Sequence, residues 1–241
     1  IAEALSDADA LVRSIQDLLR RKGELRKAAS VRLLTGSSRL AGYSGERQES
    51  LLGDHTSIIK GSGLSKGSLS TSGSRPCLLY GELFTTYGRV IRDVKSRTDA
   101  PGGTESVAGD VLVPGSTTTE GADLATASAL LLEGVALGGD INVIRQRSSA
   151  YDPAFLANYI TDLCRKPIAE VAQGITIIHL YGRHLAALPL SLPSREEQEA
   201  IGRVLEDMDL EIELIEARLR KAQDLKTAMT QNLLSGRTRL A

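Results

Sequence analysis

The sequence predicts an α+β protein, in which one strand-rich mixed domain is flanked by two long helices that pair as a coiled coil. Three observations lead to this fold class. The chain opens and closes with copies of one segment, since residues 1–41 align with residues 201–241 without a gap. Both copies carry apolar residues at heptad spacing. Between them, short apolar runs alternate with turns rich in glycine, serine and proline, as strands and loops do.

Each copy is predicted to form one long helix with a narrow apolar seam. The seam positions are Leu5, Val12, Ile15 and Leu19 in the first copy, and Leu205, Met208, Ile212, Ile215 and Leu219 in the second. Further along each helix we expect the seam to shift out of the heptad spacing to Leu25 and Leu225. Gly36 and Gly236 occupy positions typical of helix C-terminal caps. Such a stripe needs a partner helix, for which the other copy is the nearest candidate. The alternative is two ordinary core helices of one globule.

Composition sets the broad class. A chain of 241 residues fits one domain with a helical extension, or two small domains. Aromatic residues make up 3% of the chain, with no tryptophan, so the core must be aliphatic. Two cysteines, Cys77 and Cys164, suit a reducing compartment and imply no disulfide framework. No run of eighteen apolar residues occurs, so we expect no membrane span.

The strands and shorter helices follow the first copy in order. A linker over Thr35–Gly45 precedes a short helix or turn from Leu51, and Gly61–Ser74 forms a long polar loop. The predicted strands are Ser57–Lys60, Pro76–Tyr80, Val107–Val113, Ala127–Leu132, Gly139–Arg145 and Gly174–Leu180. Asp152 and Pro153 predict the N-cap and first turn of a helix.

The last helix has its own start signal. Ser194 and Glu197 stand three residues apart and predict a capping box at its N-terminus. The strand-rich middle of the chain should therefore end just before this helix begins.

A basic segment between Lys60 and Arg97 suggests a contact surface for phosphate, although net charge over the whole chain is −1. Basic side chains can hold phosphate, aromatic rings can stack, and hydroxyl groups can donate to phosphate oxygens. The candidate nucleic-acid-binding residues are Lys60, Lys66, Tyr87, Arg89, Arg92, Lys95, Ser116, Thr117, Thr118 and Thr119. The alternatives are a solvated basic face and a hairpin that only buries Phe84.

Signals for catalysis are missing. His55, His179 and His184 show no metal-ligand spacing with the cysteines. The glycine-rich loop lacks phosphate-loop spacing, and no nucleophile elbow or dinucleotide fingerprint occurs. The run Tyr151–Phe155 is explained by helix capping rather than by methyltransferase chemistry. The sequence therefore predicts a binding protein rather than an enzyme, with no catalytic residue, metal or cofactor.

Several stretches together carry a family resemblance. They are Gly53–Ser65, Leu79–Gly88, Gly109–Ser116, Gly138–Asn142, Leu190–Gln198 and Asn232–Gly236. With these stretches the chain resembles the specificity subunit of type I restriction–modification enzymes. The resemblance covers nearly the whole chain, and its motifs are specific jointly rather than singly.

The resemblance implies a fold, partners and a location. Such subunits carry two target recognition domains separated by two long antiparallel helices, and each domain reads one half of a split DNA target. The helices bind two methyltransferase subunits, and a translocating restriction subunit joins that complex. By this resemblance residues 1–41 and 194–241 are spacer helices, residues 42–193 are one target recognition domain, and the protein is cytoplasmic in a bacterium or archaeon.

One recognition domain where the family has two implies either the C-terminal half of a longer subunit or a half-length form that pairs with itself. A helix of about 34 residues is roughly 50 Å long, which corresponds to about 15 base pairs of duplex and suits a target with a fixed gap. Two alternatives stay open. One is a coiled-coil scaffold whose middle domain binds protein, and the other is a module of a single-chain methyltransferase–nuclease.

Overall fold

The computed structural model describes residues 2–234, and its mixture of long helices and short strands confirms the α+β class. The helices are α1 Ala2–Thr35, α2 Leu52–His55, α3 Glu82–Thr85, α4 Pro153–Leu163, α5 Arg165–Val171, α6 Gly182–Ala186 and α7 Arg195–Leu234. The strands are β1 Gln48–Leu51, β2 Thr56–Lys60, β3 Arg75–Leu78, β4 Val90–Ile91, β5 Arg97–Thr98, β6 Thr104–Glu105, β7 Asp110–Pro114, β8 Ser116–Thr117, β9 Ser128–Leu130, β10 Ala136–Leu137, β11 Ile141–Gln146, β12 Ile178–His179 and β13 Pro189–Leu192.

The two long helices pair over residues 2–29 and 204–234, which form one compact unit. Lys22 binds Glu211 at 2.7 Å, and Arg26 binds Asp209 at 2.7 Å. A third ion pair joins Lys226 to Asp9. Partner numbers fall along α7 as they rise along α1, so the two helices are antiparallel.

The apolar seam positions of this helix pair are buried or half-buried. Ile15 is buried and the seam positions Leu5, Val12 and Leu19 are half-buried. The same applies along α7, where Leu205 is buried and the half-buried positions are Met208, Ile212, Ile215 and Leu219. Ile1 and Gly236, which the sequence also assigned, lie outside the described residues.

The predicted slip of the seam to Leu25 and Leu225 is wrong, because both leucines are exposed. The positions that continue the spacing are Lys22, Arg26 and Lys226, whose charges are satisfied by acids on the facing helix. Periodicity of apolar residues could not reveal a seam that ion pairs complete.

Residues 30–203 form the second compact unit, which is built around a five-stranded sheet. Its strand order is β2-β11-β7-β9-β4, with antiparallel pairing except between β4 and β9. A four-stranded sheet has the order β5-β3-β10-β6, and β1-β13 and β8-β12 form two-stranded ribbons. The predicted domain boundaries at residues 42 and 193 stay predictions.

The core of this unit is mostly aliphatic, but the aromatic side chains of Tyr151 and Phe155 are also fully buried in it. Val111, Leu112 and Val113 of the central strand β7 are fully buried, and α4 packs against β7 and β9. Fully buried strands read as continuous apolar runs, which is why these segments were recognisable in the sequence. The predicted strands at Ser57–Lys60, Pro76–Tyr80, Val107–Val113, Ala127–Leu132 and Gly139–Arg145 all overlap observed strands.

Helix ends follow the predicted capping chemistry in two places. Asp152 Oδ1 accepts a hydrogen bond from Phe155 N at 2.8 Å, and Pro153 opens α4. Gly36 follows α1 with φ +76°, and its N–H donates to Leu33 O at 3.2 Å. These signals are local, so they do not depend on the rest of the fold.

At the start of α7 only half of the predicted capping box forms. Ser194 Oγ accepts from Glu197 N at 3.4 Å, whereas the Glu197 carboxylate forms an ion pair with Arg39. A second correction concerns Gly174–Leu180, where a single strand was predicted. Only Ile178–His179 is a strand, and the preceding residues form the tip of a hairpin.

Candidate nucleic-acid interface

Polar groups collect at one end of the five-stranded sheet. Lys60 is the last residue of β2 and pairs with Asn142 of β11, which also pairs with Val113 of β7. Lys60 and the segment that follows β7, beginning at Ser116, therefore lie at the same end of the sheet. Gly115 N donates to Asp140 O at 2.5 Å and closes the turn there. A Cβ on Gly115 would come within 2.7 Å of the Lys60 amine, so glycine lets that amine lie against the turn.

Hydroxyl side chains line the segment that follows this turn. Ser116 Oγ donates to an Asp140 carboxylate oxygen at 3.1 Å, and the hydroxyls of Thr117 and Thr119 lie 2.9 Å apart. Thr119 Oγ1 also donates to Asp123 at 2.6 Å. Ser116 and Thr117 are buried, whereas Thr118 and Thr119 are exposed. Thr118 and Thr119 are therefore exposed to solvent, on a segment whose hydroxyl groups are held by hydrogen bonds.

A cleft of about 400 Å³ opens beside these threonines. Its lining residues are Tyr80, Phe84, Thr117, Thr118, Thr119, Asp123 and Thr126. Tyr80 precedes the short helix α3 and Phe84 is the penultimate residue of that helix, and each side chain is 37% exposed. Aromatic faces beside hydroxyl groups can contact bases and sugars.

Asp123 sets the electrostatics of this cleft. The Thr119 hydroxyl, and then Arg165, lower the pKa of the Asp123 carboxyl below its ordinary value, so the group stays ionised. A carboxylate repels phosphate but accepts hydrogen bonds from the amino groups of cytosine and adenine. The cleft is therefore better suited to base edges than to the phosphate backbone.

A second pocket of about 700 Å³ shares Tyr80 with this cleft. Lys66 lies on its rim at the start of the 3₁₀ helix Lys66–Ser68, and Asp140 lies on another wall. Lys60 and Lys66 are both exposed. Such lysines can contact the phosphates of a polynucleotide, while the neighbouring hydroxyl groups and aromatic rings contact its bases.

A further aromatic group approaches the same segment through ribbon β8-β12. His179 pairs with Ser116, and its ring lies 6.3 Å from that of Tyr181. The guanidinium of Arg183 lies 4.7 Å from the centre of the Tyr181 ring, which also contacts His184 edge-on. Arg183 and Tyr181 are exposed, so this cation–π pair adds positive charge to the surface.

The other candidate residues lie along the far edge strand. Four strand spacings separate β2 from β4, a distance of roughly 19 Å. Tyr87 is half-buried against the core and accepts a hydrogen bond from Lys95 N at 2.9 Å. Arg89 binds Asp162 at 3.0 Å. Arg92 follows β4 at the opposite end of the sheet, since Ile91 pairs with Leu130 and Leu130 with Asp110.

The structure thus brings together Lys60, Lys66 and the Ser116–Thr119 segment, whereas Arg89 is held by Asp162 and Arg92 lies at the opposite end of the sheet. Tyr87 and Lys95 are linked by a hydrogen bond and connect through Glu82 to the pocket that Lys66 lines. Sequence reasoning did not select Tyr80, Phe84, Tyr181 or Arg183. Phe84 is exposed at the cleft instead of being buried in a hairpin. Tyr181 reaches this surface through a strand pairing between residues about sixty positions apart, for which the sequence holds no local signal.

Sites of other kinds are not apparent in the part of the chain that the structure describes. No group of three or more histidine, cysteine or acidic side chains there could hold a metal ion. No helix within residues 2–234 is both long enough and apolar enough to cross a membrane.

A mixed domain bearing hydroxyls, amines and aromatic rings on one surface, together with a pair of duplicated helices, defines a recognition protein for nucleic acid. The chain belongs to the family of type I restriction modification DNA specificity domains, whose profile matches residues 100–223. Comparison with curated proteins gives no match.

Solved structures share the fold. One, described under complex assembly and conformational transition of the type I R-M system, is 18% identical with a TM-score of 0.58, and the alignment covers 95% of this chain and 57% of that one. The HsdS subunit from Thermoanaerobacter tengcongensis is 16% identical with a TM-score of 0.54, covering 94% and 56%.

The S subunit of the type I system from M. genitalium is 14% identical with a TM-score of 0.63, covering 94% of this chain and 57% of that one. The chain therefore spans a little over half the length of each of these three structures.

Proposed function

We propose that this chain recognises one half of a bipartite DNA target within a type I restriction–modification complex. The observation that carries the proposal is the surface around Lys60 and Ser116–Thr119, found in a chain of the DNA specificity family. The Lys60 and Lys66 amines and Arg183 hold phosphates, while the threonines, Asp123 and the rings of Tyr80 and Phe84 contact bases or sugars.

In this proposal the chain itself catalyses nothing, and methyl transfer and cleavage belong to partner subunits. The second half of the target is read by a second recognition domain, supplied by the remainder of a longer chain or by another copy of this one. The helix pair acts as a spacer, because a helix holds a distance that a flexible linker cannot.

The helix pair also offers a surface for the methyltransferase subunits. A groove of about 540 Å³ lies between the two helices. Its apolar lining includes Ala8, Leu11, Ile15, Ala222 and Leu225, and Arg218, Lys221 and Lys226 surround it. An exposed apolar groove with a charged rim has the composition of a protein-binding surface.

The repeat supplies a matched test of that surface. Leu225→Glu should abolish co-purification with the methyltransferase subunit, because it places a charge in the apolar groove. Leu25→Glu alters the same position of the other copy, which is equally exposed but does not line this groove, and should leave co-purification unchanged. Equal effects of both variants would remove the groove from the proposal.

The DNA proposal is tested by selection from a randomised duplex pool, using the full chain together with its methyltransferase subunit. We expect one short sequence to be enriched, and substitution of Thr118 and Thr119 by alanine to weaken or relax that preference. A pool that stays random, with the complex shown to be assembled, would overturn the proposal. In that case the coiled-coil scaffold becomes the better interpretation.

A further inference from the structure

A short hairpin extends from the β8-β12 ribbon beside the threonine segment. Gln173 N donates to His179 O at 3.0 Å, and His179 N donates to Gln173 O at 2.7 Å. His179 and Ile178 are held in turn by Ser116 and Thr117 of β8. Gly174 has φ +135°, and a Cβ there would come within 1.9 Å of Ile177 O, so only glycine fits this turn. The sheet therefore holds the base of the hairpin, and its turn requires glycine.

The tip exposes aliphatic side chains. Ile175 is 100% exposed, Thr176 is exposed, and Ile177 is 49% exposed. A fully exposed isoleucine contributes nothing to the core and leaves its apolar surface in water. Its position is instead suited to burial against another molecule.

The size of the apolar tip favours DNA over a protein as that molecule. Protein interfaces need contiguous patches of several hundred Å², whereas here two isoleucines stand among Gln173, Thr176 and His179. A two-stranded ribbon fits the major groove, which is about 12 Å wide, and aliphatic groups there contact the methyl group of thymine. The Lys60 amine lies against Gly115, just before β8, and Arg183 follows β12. Both side chains can hold the neighbouring phosphates.

We propose that Ile175 is a specificity-determining residue, which enters the major groove and selects thymine through its 5-methyl group. This inference rests on the proposed function, and it specifies which chemical group of the DNA one residue recognises. Because Ile175 makes no core contact, its substitution should not affect folding, and any change in DNA preference can be assigned to the tip.

The test replaces each thymine of the selected half-site in turn by deoxyuridine, which lacks only the methyl group. Binding is measured for the full chain with its methyltransferase subunit. At one position we expect the wild-type complex to lose about fourfold in affinity, the loss for one buried methyl group. The Ile175→Ala complex should show no such loss at that position and should bind the unmodified site as weakly as the wild type binds the modified one.

Val107→Ala serves as the matched control. Val107 is an exposed aliphatic residue next to Asp110, at the opposite end of the sheet, so this variant should keep the full deoxyuridine effect. Circular dichroism should show that Ile175→Ala unfolds with the wild-type midpoint.

Each other outcome overturns the inference. A half-site that is insensitive to deoxyuridine everywhere, or a loss that persists in Ile175→Ala, removes Ile175 as the reader while leaving the proposed function intact. An Ile175→Ala variant that binds DNA normally but loses the methyltransferase subunit assigns the tip to a protein. If the wild-type complex selects no sequence, the proposed function fails and the inference fails with it.

Discussion

The Arg89 guanidinium lies against the Asp162 carboxylate of α4, which also accepts a hydrogen bond from Ser30 Oγ. Less than a third of either side chain of the ion pair is exposed. The ion pair joins α4 to the residues that precede edge strand β4, and the Ser30 hydrogen bond joins α1 to the same carboxylate. Arg89 therefore has a structural task that its position in a basic segment did not indicate.

Arg89→Gln should lower the free energy of unfolding by about 1–3 kcal/mol, because a partly buried ion pair with Asp162 is lost. Urea denaturation monitored by circular dichroism measures this change. Lys95→Gln, in the same basic segment but with an exposed side chain, is the control and should stay near the wild-type value. Normal stability combined with weakened DNA binding would return Arg89 to the nucleic-acid-binding residues.

Residue type and local sequence could not separate these roles. Lys60 and Arg89 both lie in the basic segment, so local sequence does not distinguish their roles. The distinction depends on Asp162, which lies 73 positions from Arg89. Tyr87 likewise reads as a stacking residue, but its hydroxyl is occupied by the Lys95 backbone within the fold.

The duplicated helices show the symmetry of the repeat in their ion pairs. A shift of 200 positions converts Arg26 and Asp209 into Lys226 and Asp9, and both pairs form. The same shift converts the Lys22–Glu211 pair into Ala222 and Leu11, which line the apolar groove instead. The helix pair is therefore symmetric in register but not in surface chemistry, since one half carries a groove where the other carries an ion pair.

The two related acids should differ in their contribution to stability. Arg26 is only 8% exposed and donates two hydrogen bonds to Asp209, at 2.7 and 2.8 Å. Asp209→Asn removes the acceptor charge of this partly buried ion pair, and should cost about 1–3 kcal/mol of unfolding free energy. Asp9→Asn affects an exposed pair and should have a much smaller effect. Urea midpoints of the two variants decide the matter, and equal losses would contradict the difference in burial.

The Asp9–Lys226 pair should respond to pH in one direction. The hydrogen bond from Lys226 holds the pKa of Asp9 below its ordinary value of 3.8. The folded state therefore binds fewer protons than the unfolded state, so the stabilisation is present above that ordinary value and is lost as pH falls through the lower folded value. Carboxyl NMR should give a midpoint below 3.8 that rises in Lys226→Gln. An unchanged midpoint in that variant would show that another group causes the shift.

Elements with long periodic patterns were predictable, and short ones were not. The helices of the repeat, the N-cap at Asp152 and the buried strands could be predicted because their signals are local. Two-residue strands such as β8 and β12 exist only because they pair with each other across the chain. For the same reason the hairpin tip at Ile175 was predicted as part of a continuous strand.

At the scale of the whole molecule, the two compact units carry different parts of the proposed task. The helix pair contains the repeat and the groove, and the strand-rich unit contains the surface around Lys60 and Ser116–Thr119. The family could be recognised from the sequence because several weak motifs occur together along the chain. The proposed recognition surface could be predicted only in part, because Tyr80, Phe84, Tyr181 and Arg183 come close to Lys60 and Ser116–Thr119 only in the folded chain.

The salt dependence of DNA binding tests the central claim, that the Lys60 end of the sheet faces DNA. Each phosphate contact by a lysine contributes about 0.9 to the slope of log affinity against log salt. The full chain with its methyltransferase subunit is titrated with the selected half-site, as wild type, as Lys60→Gln with Lys66→Gln, and as Lys166→Gln, which alters an exposed lysine of α5.

We predict that the double variant reduces the magnitude of the slope by about 1.8, since two phosphate contacts are lost, while Lys166→Gln leaves it unchanged. An unaltered slope in the double variant would contradict the account and place the DNA on another face of the protein.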